Sequence, residues 1–138
     1  MIIFLILILL ASPAHAQEFY VYKPVKITDG DTIKLDVSKE SPLIKKLGLS
    51  VRIKGIDTPE KTPRAKCKKE SELGQQATKY TTELVGNKEL LLSQVENDHY
   101  GGRIVANVKV GGVDIAQELL KKGLARVYNG EKKKSWCD

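Results

Sequence analysis

The chain has 138 residues, with 23 Lys and Arg against 17 Asp and Glu, a net charge of +6 and a pI near 9.3. That length fits one domain with a modest core, and the basic balance points to a polyanionic partner such as nucleic acid or an anionic surface. Two cysteines, Cys67 and Cys137, cannot complete a structural zinc site unaided, and no internal repeat or low-complexity segment is present.

Ile2 to Leu10 are all apolar, and Ala14-His15-Ala16 has the small-x-small form of a signal-peptidase site. The run is too short to span a bilayer. It reads as a signal peptide over 1–16, with cleavage after Ala16 and a single domain over 17–138. The n-region carries little positive charge, so an uncleaved N-terminal anchor is the alternative. No Lys, Arg, Asp or Glu lies in the first sixteen residues, so the whole net charge belongs to 17–138. Export places the chain in the periplasm or outside the cell, where disulfides persist. A Cys67–Cys137 bridge is the economical reading of the two thiols; free thiols or an intermolecular bridge are the alternatives.

Phe19 to Thr28 is rich in β-branched and aromatic residues and reads as a strand that Pro24 interrupts, at an edge or a bulge. Asp29-Gly30 is a tight-turn signal, and Thr32, Ile33, Leu35 and Val37 form the returning strand. Asp31, directly after the turn, is offered to a neighbouring strand end. Ser38 to Ser50 reads as a loop with a short helical turn at Leu43–Leu47, its lysines solvated. Val51 to Ile56 is the third strand. Ile56 is out of phase with Val51 and Ile53, and a bulge at Gly55 would restore it and turn Asp57 toward the side of Arg52.

Lys61 to Lys69 is basic loop. From about Ser71 to Val85, Leu73, Ala77, Tyr80 and Leu84 recur as one face of a helix, stopped by Gly86-Asn87. Glu89 to Val95 is a fourth strand, Asn97 to Gly102 a turn, and Arg103 to Val110 a cleanly alternating fifth strand. Gly111-Gly112 leads into a short helix, Val113 to Lys122, with Asp114 in its first turn and Gly123 just beyond its end. Leu124 to Tyr128 is extended, and Asn129 to Asp138 is a solvated basic tail. Five short strands with a helix between the third and fourth, and a short helix after the fifth, make a mainly-β α+β fold with the element order of an OB-fold barrel.

The chemistry concentrates in Arg52 to Glu60, R-I-K-G-I-D-T-P-E. Pro59 cannot donate to a ladder and disfavours a helical Thr58, so the strand ends there. Asp57, Glu60 and Arg52 are thereby placed at or beside a strand end. Metal-assisted attack on a phosphodiester needs an anionic metal seat, a general base and a planar cation, and these residues supply all three. A surface strand ending in a charged turn is the competing reading of the same residues.

D-G-D-T at 29–32, R-x-x-x-x-D-T-P-E at 52–60, D-H-Y-G-G-R at 98–103 and G-L-A-R-V-Y at 123–128 together resemble the staphylococcal-nuclease (thermonuclease) family. The resemblance implies an OB-fold, Ca²⁺-dependent hydrolysis of DNA and RNA with little sequence specificity, and 3′-phosphate products. It implies that Asp31 and Asp57 supply carboxylate ligands to Ca²⁺, with the Thr58 carbonyl as a third protein ligand. Glu60 would be the general base, and Arg52 and Arg103 would hold the phosphate and its transition state. Tyr100 and Tyr128 would face the substrate, where ring stacking tolerates any sequence. His99 reads as an exposed turn histidine.

The chain departs from the family pattern at Tyr100-Gly101-Gly102-Arg103, where one glycine is usual. The second is expected to be absorbed as a bulge, leaving Arg103 in place. The segment from Asp31 to Arg52 is also longer than in the staphylococcal enzyme, and that enzyme's final long helix is missing. No stable protein partner is implied and a monomer is expected; a non-catalytic nucleic-acid-binding OB module is the alternative function.

Overall fold

The computed structural model describes residues 16–99 and 101–138. The apolar run of the expected signal peptide and Tyr100 lie outside the described residues. In chain order the elements are β1 (Phe19–Tyr22), β2 (Pro24–Asp29), β3 (Thr32–Leu35), α1 (Pro42–Leu47), β4 (Ser50–Ile53), β5 (Ile56–Asp57), α2 (Lys68–Val85), β6 (Leu90–Asn97), β7 (Arg103–Val110), β8 (Val113–Asp114), α3 (Ile115–Lys121) and β9 (Arg126–Val127).

The main sheet runs β1-β6-β7-β4-β3-β2, with β8 on the end of β7, while β5 and β9 form a separate two-stranded sheet. Phe19–Thr28, expected as one interrupted strand, is two strands at opposite ends of that order, with only Lys23 between them. Two neighbouring residues can belong to opposite edges only if the sheet curls until its edges approach. The result is the barrel-like, mainly-β α+β architecture that the element order predicts. β4 and β7 pair in parallel, Ser50 opposite Arg103 and Arg52 opposite Val105, while Arg52 also faces Thr32 of β3.

The curled sheet encloses Ile33, Leu35, Val51, Ile53, Leu90, Leu92, Ala106 and Val108, closed by Ile115 and Leu119 of α3 and by Ala77 and Val85 of α2. Full burial of each large aliphatic side chain contributes about 1.5–3 kcal/mol, so this apolar interior dominates the favourable side of folding.

Three expectations need correction. Gly55 is not a bulge within one strand. At φ +82° it makes, with Lys54, a turn by which the chain leaves the main sheet after Ile53 and enters the second sheet at Ile56. Residues 113–114 pair with β7 before the helix starts, so Asp114 is the N-cap of α3, its carboxylate accepting from Gln117 N–H at 3.2 Å. And α2 begins at Lys68, with a buried face of Glu70, Gly74, Ala77, Thr81 and Val85; Leu73, Tyr80 and Leu84 lie only beside it. A stripe of small and polar residues lets the helix approach backbone closely, which a leucine stripe would prevent.

That close approach positions everything described next. A Cβ on Gly30 would lie 2.7 Å from Ala77 Cβ, so only glycine lets the Gly30–Asp31 turn rest on the helix. Thr81 Oγ1 donates to the Gly30 carbonyl at 2.7 Å, fully buried. Further along, Gly74 lies against the Pro59 and Glu60 backbone, and the buried Glu70 carboxylate accepts from the N–H groups of Glu60 at 3.4 Å and Lys66 at 2.9 Å. One helix therefore holds both the turn bearing Asp31 and the segment bearing Glu60.

Candidate active site

Asp31 is the second residue of the two-residue turn between β2 and β3, not the residue after it. Its carboxylate is buried and accepts from Thr32 Oγ1 at 3.0 Å and from Thr58 N–H at 3.2 Å. Asp57 ends β5 and is equally buried. Arg52 lies between the two: its Nη2 is 3.7 Å from Asp31 Oδ2 and 3.8 Å from Asp57 Oδ1, and donates to the Ile56 carbonyl at 3.0 Å. The strand end thus brings together Arg52, Asp57 and Thr58, and the neighbouring hairpin adds Asp31. Only 13% of the Arg52 side chain is exposed, so its charge acts through little water.

Glu60 follows the Thr58-Pro59 turn. Arg64 Nε lies 3.2 Å from its Oε2, yet that buried oxygen accepts no aligned hydrogen bond. Burial raises the Glu60 carboxyl above the usual carboxylate range; the Arg64 guanidinium pulls it down, and Asp29 and Asp31 push it up. A carboxylate made more basic by burial, with an oxygen still able to accept, is suited to take a proton from water.

Arg103 opens β7. The added glycine is absorbed in the preceding turn, not in a bulge: Gly102 takes φ +74°, and its carbonyl accepts from Ser50 N–H at 2.8 Å. Arg103 is then in unbroken register with Ser50. Its Nε donates to Asp98 Oδ2 at 2.5 Å, and it lines one cleft of about 570 Å³ with Asp31, Arg52, Glu60 and Arg64. The register irregularity next door belongs to β6, between Ser93 and Glu96, where Gln94 takes φ +49°.

Tyr128 sits at the mouth of an adjoining groove with His99, Arg103 and Arg52, its ring centroid 5.4 Å from the Arg52 guanidinium carbon. His99 is an exposed turn residue, as expected. The Cys67–Cys137 bridge is formed, with a Cα–Cα separation of 6.0 Å.

Three neighbours escape the sequence reading. Arg64, assigned to a basic loop, bridges Glu60 and the buried Asp29, its Nη2 2.5 Å from Asp29 Oδ2. Its spacing of four from Glu60 was the available signal. Trp136 is buried in the expected solvated tail, and its Nε1 donates to Asp57 Oδ2 at 3.3 Å. Lys133 reaches Asp57 Oδ1 at 3.0 Å; nothing in its run of three lysines singles it out.

Asp31 and Asp57 offer oxygen donors, as a hard cation such as Ca²⁺ requires, and Asp57 already faces nitrogen groups of Arg52, Lys133 and Trp136. No cluster of three or more His, Cys, Asp or Glu is present among the described residues. Two carboxylates would therefore be completed by backbone carbonyl and water. The residues fit such an ion as a weak, water-rich site.

Known proteins are similar to this chain. Residues 50–136 match the family described as staphylococcal nuclease homologue. Over 104 residues the chain is 36% identical to the SPbeta prophage-derived endonuclease YokF of Bacillus subtilis (strain 168), covering 74% of this chain and 32% of that protein. It is 36% identical over 101 residues to endonuclease YncB of the same organism, covering 72% and 44%. It is also 32% identical over 119 residues to thermonuclease of Staphylococcus hyicus, covering 84% and 63%. The chain spans between about a third and just under two thirds of the length of these relatives. With the matched segment running from β4 through the buried Trp136 and taking in Arg52, Asp57, Glu60 and Arg103, the chain belongs to the staphylococcal nuclease homologue family.

Proposed function

We propose that the protein is a Ca²⁺-dependent nuclease that hydrolyses phosphodiester bonds of DNA and RNA with little sequence specificity, leaving 3′-phosphate ends. The observation that carries this reading is the convergence of Asp31 and Asp57 on Arg52, with Asp31 and Arg52 sharing one cleft with Glu60 and Arg103. The names of the relatives, endonuclease and thermonuclease, support it.

Asp31, Asp57 and the Thr58 carbonyl would hold the ion, which when bound supplies Lewis acidity to a non-bridging phosphate oxygen. Glu60 accepts a proton from water as that oxygen bonds to phosphorus. The P–O5′ bond breaks, the departing oxygen takes up a proton, and the phosphate stays on the 3′ side. Arg52 and Arg103 donate paired hydrogen bonds to the equatorial oxygens, where charge grows during attack. Tyr128 offers a ring face on which any base can stack. Export by the 1–16 segment belongs to the same reading, supported by the Cys67–Cys137 bridge, which needs an oxidising compartment.

The test is cleavage of single-stranded DNA by purified protein with Ca²⁺ or a chelator, beside Glu60→Gln. Calcium-dependent cleavage, lowered by about 10²-fold or more in the variant, is expected for loss of a general base. Equal cleavage by Glu60→Gln would overturn the assignment of the base. Binding without cleavage would make the chain a non-catalytic nucleic-acid-binding module.

A further inference from the structure

Segment 129–138 has no helix or strand, yet it is fastened at several points. Tyr128 N–H donates to the Gly55 carbonyl at 2.9 Å. Arg126 Nη1 donates to the Ser135 carbonyl at 2.6 Å, and its guanidinium stacks 3.8 Å above the Trp136 ring centroid. Trp136 bonds Asp57, Cys137 is bridged to Cys67 at the head of α2, and Lys69 Nζ donates to the Asp138 carbonyl at 2.6 Å. A loop so anchored has little freedom over where it puts its side chains.

It puts one of them in the cleft. Of the consecutive lysines 132–134, Lys133 has its ammonium 3.0 Å from Asp57 Oδ1 and 5.5 Å from the Tyr128 ring centroid. It lines both the cleft of Asp31, Arg52, Glu60 and Arg103 and the adjoining groove of Tyr128 and His99. Its side chain is 47% exposed, so unlike Arg52 it is free to pivot on its four-carbon stem. Lys132 and Lys134 line, together with Lys133, a groove that holds Asp57, Thr58 and Glu60 but not Arg52 or Arg103; of the three, Lys133 is the one that pairs with Asp57 among the described residues.

We propose that Lys133 is a further substrate-contacting residue, an ammonium that shares Asp57 with the divalent cation and turns to the phosphodiester. The inference rests on the nuclease reading above. An ammonium at Asp57 opposes a second cation on the same carboxylate, so Lys133 weakens metal binding. The charge it frees when the cation takes Asp57 is available to a phosphate in the cleft. The anchored tail thus makes metal and polyanion occupancy cooperative, since each relieves the competition that limits the other.

Calorimetric titration of the full chain with Ca²⁺ tests this, comparing wild type, Lys133→Met, Lys132→Met and Lys134→Met. Lys133→Met is expected to bind Ca²⁺ about two- to fivefold tighter, the range for a half-exposed charge pair, while the two neighbouring variants match wild type. Binding of a fluorescent oligodeoxythymidylate, followed by anisotropy in chelator, is the second readout. There the slope of log K against log salt should fall in magnitude by about 0.7 in Lys133→Met, the loss of one single-strand phosphate contact. Unchanged calcium affinity or an unchanged salt slope in Lys133→Met would overturn the inference while leaving the nuclease reading intact. No Ca²⁺ binding by wild type would instead overturn the metal site itself, and the competition with it.

Discussion

Gly74 is where the helix and the proposed general base meet, and Gly74→Ala tests how closely the site depends on that contact. A methyl group at this position would lie 2.5 Å from the Glu60 carbonyl oxygen, 2.6 Å from its carbon and 2.9 Å from the Pro59 carbonyl oxygen. Ordinary contact begins near 3.4 Å, so the helix and the Pro59–Glu60 backbone must separate by about 0.9 Å. All three atoms are backbone, and no side-chain rotation relieves the clash. Overpacking of this kind costs about 1–3 kcal/mol, and the better helix propensity of alanine returns about 0.5–1 kcal/mol of it. The expected net loss is about 1–2 kcal/mol by urea unfolding, or roughly 4–8 °C in Tm for a domain of this size. The functional loss should be larger, because a displacement of about 1 Å in a positioned catalytic group lowers rate by about 10²-fold. Gln75→Ala, on the exposed face of the same helix, should change stability by less than about 0.5 kcal/mol and leave the rate unaltered. A Gly74→Ala protein as stable as wild type and fully active on single-stranded DNA would refute the claim that α2 positions Glu60.

Two further outcomes follow from the same geometry. Arg52→Lys keeps the charge but not the planar guanidinium, whose Nη2 is held by the Ile56 carbonyl, Asp31 and Asp57 while its other N–H groups remain to pair with phosphate oxygens; kcat should fall by about 10²–10³-fold, with much less change in oligonucleotide affinity. Proportionate loss of both would mean that the guanidinium does not act mainly in the transition state. Reducing the Cys67–Cys137 bridge, which spans a sequence separation of 70, should cost about 4 kcal/mol on the chain-entropy argument. An unchanged Tm on reduction would show that the bridge does not stabilise the fold.

The nonapeptide from Arg52 to Glu60 was legible because its chemistry and its geometry are local: a proline ends the strand, and the charges cluster around that end. Arg103 was legible through register, since alternating apolar residues fix the face of a strand even when the turn before it gains a glycine. The helix face was misjudged for a physical reason. Apolar periodicity finds faces that bury hydrocarbon, whereas α2 also buries small residues and a carboxylate against backbone, at Gly74, Ala77, Thr81 and Glu70. Lys133 and Trp136 were invisible for a different reason: their partner, Asp57, lies more than seventy residues away, and no local pattern encodes a contact at that distance.

The sheet order has a consequence for how the molecule assembles. Asp31 and Arg52 are near in sequence and can be gathered by the β3–β4 pairing. Arg103 requires the parallel pairing of 50–53 with 103–106, and the segment of Tyr128 and Lys133 requires 56–57 to meet 126–127. Closing such long loops precedes any reward from the contacts they make, which slows folding to about the millisecond-to-second range of other non-local β topologies. Asp31 and Arg52 thus belong to the fast, short-range part of the folding reaction, whereas Asp57, whose strand pairs with 126–127, belongs with Arg103 to its slow, long-range part. A chain in which only β2, β3 and β4 have paired sets Asp31 beside Arg52, and it gains Asp57, Arg103 and the segment of Tyr128 and Lys133 only when the distant strands arrive.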